Sequence, residues 1–217
     1  GTVAAHLLGK IESRGGPLAT GFVGPKDLML VLDKIGRNDV AYRLLENDDY
    51  PSWLFEIRHG ATSIWERWNG WTPEQGFEDP GMNSFAHYAF GAVTQWIFEN
   101  AGGIRALEPG YATIQLRPQP GGHLTWARTS YASPRGSIET AWRLEGETFH
   151  LELAVPVNTT ARLHLPTRDA GTIKESGRSL AEAQGVRLLG STAAETTCEL
   201  QAGRYRFECQ AVVLQRM

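Results

Sequence analysis

The chain has 217 residues, 41% of them hydrophobic and 21% charged, with 24 Gly and 11 Pro, which is the composition of a folded protein and not of a disordered one. That length fits one large domain or two of ordinary size and suffices to bury about 70% of the unfolded surface, which excludes a miniprotein held together by staples. A net charge of −3 gives no electrostatic reason to bind phosphate backbones or anionic lipid, so nucleic acid is set aside as a partner.

From Gly1 to about Gly103 the apolar spacing is helical. Val3, Leu7, Leu8 and Ile11 form one stripe behind a Thr2 cap, and Gly15-Gly16-Pro17 ends it. Leu28, Leu32 and Ile35 repeat the pattern after Pro25 and stop at Gly36, and Val40, Tyr42, Leu44 and Leu45 follow behind an Asn38 or Asp39 cap. Pro51-Ser52 opens a short segment from Trp53 to Ile57. The longest helix is expected from about Ser84 to Asn100, after the turn-rich Asp79-Pro80-Gly81 and before the stop at Gly102-Gly103.

Beyond Ile104 the pattern changes to alternation with turn punctuation. Strands are predicted at Thr113 to Leu116, Leu124 to Tyr131, Ser137 to Leu144, Thr148 to Val155 and Ala161 to Leu165, then at Arg187 to Leu189, Thr197 to Leu200, Tyr205 to Glu208 and Val212 to Leu214. Short strands with tight turns argue an antiparallel β-sandwich over 104–217, behind an α-rich domain over 1–103. If Ala202-Gly203 turns a hairpin, Cys198 faces Phe207 and Cys209 lies on its diagonal, a long span for a bridge, so two buried thiols are expected.

No apolar run reaches the roughly 18 residues that cross a bilayer, and Gly1 to Lys10 lacks the order of a signal peptide, so a soluble chain without a membrane partner is expected. Its compartment, cytoplasmic or secreted, stays open. The chain starts at Gly1 without an initiator Met, which leaves room for an upstream portion. Through Gly103 there are 8 basic against 13 acidic residues, and five of the seven Trp, four of them between Trp53 and Trp71, fall in that half. Function is therefore sought there.

The run Gly60-Ala-Thr-Ser-Ile-Trp-Glu-Arg-Trp-Asn-Gly-Trp71 sets one carboxylate, Glu66, between Trp65 and Trp68 and beside Arg67. Indole faces stack on the C–H faces of sugar rings while charged groups bond the hydroxyls, a mixture that suits a carbohydrate site. A core Trp cluster with a surface Glu-Arg pair accounts for the same residues. Downstream, Asn83 and His87 are four apart, so in a helix they share one face, able to bond a sugar hydroxyl or hold a carboxylate. The alternative is Asn83 as a cap and His87 as a satisfied core imidazole.

Six strings occur in order: Gly16-Pro-Leu-Ala-Thr-Gly-Phe22, Ala41-Tyr-Arg-Leu-Leu45, Tyr50-Pro-Ser-Trp53, Gly60-Ala-Thr-Ser-Ile-Trp-Glu-Arg-Trp68, Met82-Asn-Ser-Phe-Ala-His-Tyr88 and Arg117-Pro-Gln-Pro-Gly-Gly122. Together they resemble the C-terminal part of the bacterial α-L-rhamnosidases of glycoside hydrolase family 78, over most of residues 1 to 155. The resemblance implies an (α/α)6 barrel followed by a β-sandwich, and inverting hydrolysis of terminal α-L-rhamnosyl linkages in an L-rhamnose-containing glycoside. It implies that Glu66 is the general base and that His87 belongs to the sugar pocket, with Trp65, Trp68, Arg67 and Asn83 around them.

The family's general acid lies in an acidic stretch well upstream, and nothing in residues 1 to 59 resembles it. Six helical hairpins need well over about 200 residues from ordinary helix and loop lengths, more than 1–103 provides. An incomplete barrel is therefore expected, an open arc of helices whose partner is a missing N-terminal half or a second chain, carrying the base and lacking the acid. Two other roles remain for the second half: a sugar-binding module with Trp126, Tyr131 or Trp142 as its platform, or a structural buttress. His123, His150 and His164 are spread over different runs, so neither a metal nor a cofactor is called for.

Overall fold

The structure, a computed structural model, describes residues 2–13, 20–21, 24–79, 81 and 83–212. The chain divides into two compact units, Gly1–Trp96 and Ile97–Met217.

Among the described residues the first unit opens with the helices α1 (Thr2–Glu12), α2 (Gly24–Lys34), α3 (Asn38–Glu46) and α4 (Trp53–Arg58). Pro25 sits in the first turn of α2, where its missing N–H costs nothing. The cap expected at Asn38 or Asp39 moves to Arg37, whose guanidinium instead pairs with Asp39 at 2.7 Å. The segment expected from Trp53 is α4, and Ser52 caps it, its hydroxyl accepting the Phe55 N–H at 3.0 Å. Met29 and Leu32 of α2, Val40, Ala41, Tyr42 and Leu44 of α3, and Trp53 of α4 are buried, together with Trp65, Trp68, Phe90, Val93 and Trp96. Helix α1 differs: none of its residues is buried, and Val3 is 84% exposed. The stop predicted for it at Gly15-Gly16-Pro17 lies outside the described residues.

Between α4 and the last helical run, a small hairpin pairs β1 (Trp71–Thr72) with β2 (Gly76–Phe77). The single long helix predicted from Ser84 does not form. Residues 83–88 follow a non-helical path, a turn of 3₁₀ helix begins at Phe90, α5 covers Val93–Trp96, and a π-helical turn, Ile97–Ala101, opens the second unit. The predicted stop is correct. Gly103 adopts φ +75°, and a Cβ on it would fall 2.1 Å from the Pro118 nitrogen.

The second unit is a β-sandwich. Its strands are β3 (Ile104–Ala106), β4 (Thr113–Leu116), β5 (Trp126–Ser133), β6 (Gly136–Glu145), β7 (Thr148–Val155), β8 (Thr160–Leu165), β9 (Lys174–Glu175), β10 (Arg178–Ser179), β11 (Val186–Ser191), β12 (Thr196–Leu200) and β13 (Gly203–Gln210). One sheet runs β10-β9-β13-β7-β6-β5 and the other β11-β12-β8-β4-β3. All pairs are antiparallel except β4 with β8. Alternate residues of each sheet bury the core: Ile138 and Trp142, Phe149, Leu151 and Leu153, Ala161, Leu163 and Leu165, Cys198 and Leu200, Tyr205 and Phe207.

The hairpin expected at Ala202-Gly203 is absent because β12 and β13 belong to opposite sheets. Cys198 pairs in register with Leu163 and Leu188, whereas Phe207 pairs with Leu151. Both thiols are nonetheless free and buried. Val212 is not in a strand, and the rest of the strand predicted at its position lies outside the described residues.

Candidate active site

The candidate base sits on one of two extended segments that run side by side. Helix α4 ends at His59, Gly60 takes φ +87°, and Ala61 N–H bonds back to the Glu56 carbonyl at 3.0 Å, which turns the chain. Residues 63–66 then lie antiparallel to 84–87: His87 N–H donates to Ile64 O at 2.8 Å, Glu66 N–H donates to Ser84 O at 2.9 Å, and the Ser63 hydroxyl donates to Phe85 O. The Ser84 and His87 amides are spent across the gap and the Ala86 amide on the Ser84 hydroxyl, which overrides the local preference for helix.

Glu66 is half-buried, and its Oε2 accepts the Ser84 N–H at 3.0 Å. Asn83 and His87, read from the sequence as able to hold a carboxylate, have other bonds. Asn83 donates from Nδ2 to Gly70 O at 2.8 Å, and its buried Oδ1 has no partner among the described residues. His87 accepts the Ala89 N–H on Nδ1 at 3.3 Å, and its ring stacks with Tyr88 at 5.4 Å. With residues 83–88 non-helical, the shared helical face expected for Asn83 and His87 does not exist. Arg67 is half-buried, and its carbonyl accepts the Gly70 N–H at 3.0 Å in the turn that leads to β1.

The two tryptophans flanking Glu66 are packed away from water. Trp65 meets Phe85 edge to face at 5.3 Å. Trp68 stacks on Phe90 at 3.7 Å, meets Trp53 edge to face at 5.5 Å, and donates from Nε1 to Thr20 O at 2.9 Å. Their contacts are those of a wall behind the site. Among the described residues of this unit, Phe77 is 73% exposed and Tyr88 86% exposed, and Tyr50 also faces solvent.

Sequence reasoning missed Ser84, because a main-chain donor leaves no residue-type signal. It missed Phe77 and Tyr88 as exposed rings, and it missed Glu56. Glu56 follows Trp53 by three in α4 and so shares its buried face, a signal that was present in the spacing. It is 2% exposed, and burial pushes its carboxyl up to about 8, while a hydrogen bond from the Trp65 N–H pulls the other way.

The Arg-Pro-Gln-Pro-Gly-Gly run lies in the sandwich, on the wall of a cavity of about 110 Å³. There Arg117 donates from Nε to Glu195 Oε2 at 2.8 Å, and His164 Nδ1 lies 2.9 Å from Glu195 Oε1. Of the three aromatic residues considered as a platform, Trp142 is core, with Nε1 donating to Ala101 O at 2.6 Å, Tyr131 packs on Tyr111 at 4.8 Å, and Trp126 is 66% exposed. Among the described residues no group of three His, Cys, Asp or Glu is placed to hold a metal, and no helix is long and apolar enough to cross a membrane.

Two domain families match in series: residues 1–101 match the bacterial alpha-L-rhamnosidase 6 hairpin glycosidase domain, and residues 103–179 the bacterial alpha-L-rhamnosidase C-terminal domain. An alpha-L-rhamnosidase of Formosa agariphila is 38% identical over 205 residues, 94% of this chain and 22% of that protein. One of Streptomyces avermitilis is 44% identical over 163 residues, 75% of this chain and 16% of that protein. The crystal structure of the Streptomyces avermitilis alpha-L-rhamnosidase complexed with L-rhamnose superposes with a TM-score of 0.88 at 36% identity, over 95% of this chain and 19% of that one. The chain thus spans about a fifth of the length of the relatives it matches.

Proposed function

The chain belongs to the bacterial α-L-rhamnosidases of glycoside hydrolase family 78, and we propose that it is the C-terminal part of an inverting enzyme that removes terminal α-L-rhamnosyl residues from glycosides. Residues 1–103 complete the barrel from its C-terminal side, and 104–217 form a sandwich with a structural role. The reading is carried by the Glu66 carboxylate, seated by the Ser84 amide between two extended segments.

In an inverting glycosidase one carboxylate deprotonates a water on the face of the ring opposite a protonated carboxyl group, with about 6.5 to 9.5 Å between the two. Glu66 supplies the base. Its Oε2 is engaged by Ser84, so Oε1 is the oxygen that takes the proton of the water. Trp65 and Trp68 close the rear of the site against bulk water, which strengthens the charge interactions in front of them. The acid comes from residues outside this chain, contributed by the N-terminal part of the barrel. That part also covers the unburied apolar face of α1.

Proton NMR of an aryl α-L-rhamnoside digest by the complete enzyme tests the stereochemistry: β-L-rhamnose is released first, and release of the α anomer first removes Glu66 from the role of base. The 217 residues alone show no turnover, and full activity from them would place the acid within this chain. A second reading, a non-catalytic rhamnose-binding module, is favoured only by the exposure of Trp126. Calorimetry of the chain with L-rhamnose, lost in Trp126→Ala, would support it.

A further inference from the structure

Asn83 has the residue type of a sugar ligand, yet both branches of its side chain are turned to the protein. Its Nδ2 donates to Gly70 O at 2.8 Å, and its Oδ1 is covered from water with no partner among the described residues. A buried acceptor with its bond unmade is costly, and a leucine would fill the same shape without that cost. What the asparagine provides is the donor on its other branch.

The Gly70 carbonyl does not depend on that donor, because it also accepts the Glu78 N–H at 3.1 Å. The consequence of the Asn83 bond is therefore one of position. Gly70 ends the turn that follows the candidate base, its N–H donating to Arg67 O at 3.0 Å. The close approach needs glycine there: a Cβ on residue 70 would fall 3.1 Å from Asn83 Oδ1 and 3.3 Å from the Phe85 ring.

Asn83 immediately precedes Ser84, whose amide donates to Glu66 Oε2 at 3.0 Å. That amide belongs to the peptide plane between Asn83 and Ser84. On the Ser84 side the plane is held by the Glu66 N–H, which donates to Ser84 O at 2.9 Å, and on the Asn83 side it is held by the bond to Gly70 O. Chain and bonds close a ring, from Glu66 through the turn to Gly70, across to Asn83, on to Ser84 and back to the Glu66 carboxylate.

We propose that Asn83 is a positioning residue for Glu66, its side-chain amide fixing the peptide plane that carries the Ser84 donor and with it the direction of the base carboxylate. This role rests on reading Glu66 as the base. It replaces contact between Asn83 and the sugar, since the Asn83 donor is directed at Gly70 O and the acceptor is covered by protein.

The test uses the complete rhamnosidase carrying these residues, with Asn83→Leu and Glu66→Gln assayed on an aryl α-L-rhamnoside. Asn83→Leu keeps the shape, loses the donor and leaves Gly70 O bonded to the Glu78 N–H, so a merely structural role would keep kcat within about threefold of the parent. Positioning predicts that kcat falls by about 10- to 100-fold while KM changes by less than about threefold, the size expected for a misplaced catalytic group. An unchanged kcat in Asn83→Leu overturns the proposal, as does a loss confined to KM, which would place Asn83 against the sugar.

Hydrogen exchange in the 217-residue chain gives a readout separate from activity. The Ser84 amide is expected to exchange about 10-fold faster or more in Asn83→Leu than in the parent, and equal rates overturn the proposal. Exchange of the Asn83 side-chain amide in the parent needs no variant to fold: slow exchange is expected, and the rate of a solvated amide overturns the contact with Gly70. Wild-type activity in Glu66→Gln would overturn the base assignment and this role with it, and the Ser84 exchange response separates that failure from a failure of the Asn83 contact.

Discussion

Glu66 and Ser84 hold each other twice: the Ser84 amide donates to Glu66 Oε2 at 3.0 Å, and the Glu66 amide donates to the Ser84 carbonyl at 2.9 Å. The reciprocal pair fixes both the main chain and the carboxylate of one residue against the main chain of another. Since Ser84 acts on Glu66 through its backbone, Ser84→Ala in the complete enzyme is expected to keep kcat within a few-fold, losing only the 3.2 Å bond from Ala86 N–H to the Ser84 hydroxyl. Ser84→Pro removes the donor and is expected to lower kcat by 10-fold or more, about the cost of one charge-assisted hydrogen bond. Steady-state kinetics on the two variants decides between backbone and side-chain support.

The buried acid Glu56 makes a pH signature. Its usual value of 4.5 rises to about 8 in the folded chain. Between those limits the native state keeps a proton that the unfolded chain has released, so this group's contribution to stability is full below the lower limit and is lost as pH rises through the upper one. Urea unfolding of the parent chain and of Glu56→Gln across pH 5 to 8 is expected to show the parent losing up to about 1.4 kcal/mol per pH unit relative to the variant. Parallel curves would mean that Glu56 is not titrating in that window.

The sandwich carries the opposite sign. The hydrogen bond from His164 holds the Glu195 carboxyl below the usual carboxylate range against the effect of burial, with Arg117 adding its charge. The stability from this group is present above the unfolded carboxylate value of about 4.3 and is lost as pH falls through the folded one. Glu195→Ala is expected to destabilise the sandwich by about 1–3 kcal/mol at pH 7 and by less at pH 3, measured by denaturant unfolding.

Burial raises the Cys198 thiol to about 11 and the Cys209 thiol to about 12. Thiols that stay protonated and covered are poor nucleophiles. A thiol-reactive chromogen at pH 8 is expected to titrate neither cysteine in the native chain within minutes and both after unfolding. Rapid native reaction at Cys198 would contradict the packing of β12 against β8.

The contrast between the two units was legible in the residues because helical and strand periods survive in short windows. The Val40, Tyr42 and Leu44 run became a buried helix, and Phe149, Leu151 and Leu153 became one inward face of a strand. What was not legible was every feature set by distant pairing. Ser84 to Tyr88 has a sequence compatible with helix, yet the amides of Ser84 and His87 are satisfied by Glu66 and Ile64 some twenty residues away. Cys198 and Cys209 are close in sequence and belong to different sheets, because β13 joins β7 and not its neighbour β12. Within the site, Trp65 and Trp68 were read as sugar-stacking or core with equal chemistry in view, and only the contacts with Phe85 and Phe90 show them facing inward.

The account stands on Glu66 as the group that activates water. Its most direct test is kcat for Glu66→Gln in the complete rhamnosidase, with circular dichroism showing the fold unchanged. Loss of a general base predicts a fall of about 10²- to 10⁴-fold, whereas a folded variant within about threefold of the parent would contradict the assignment.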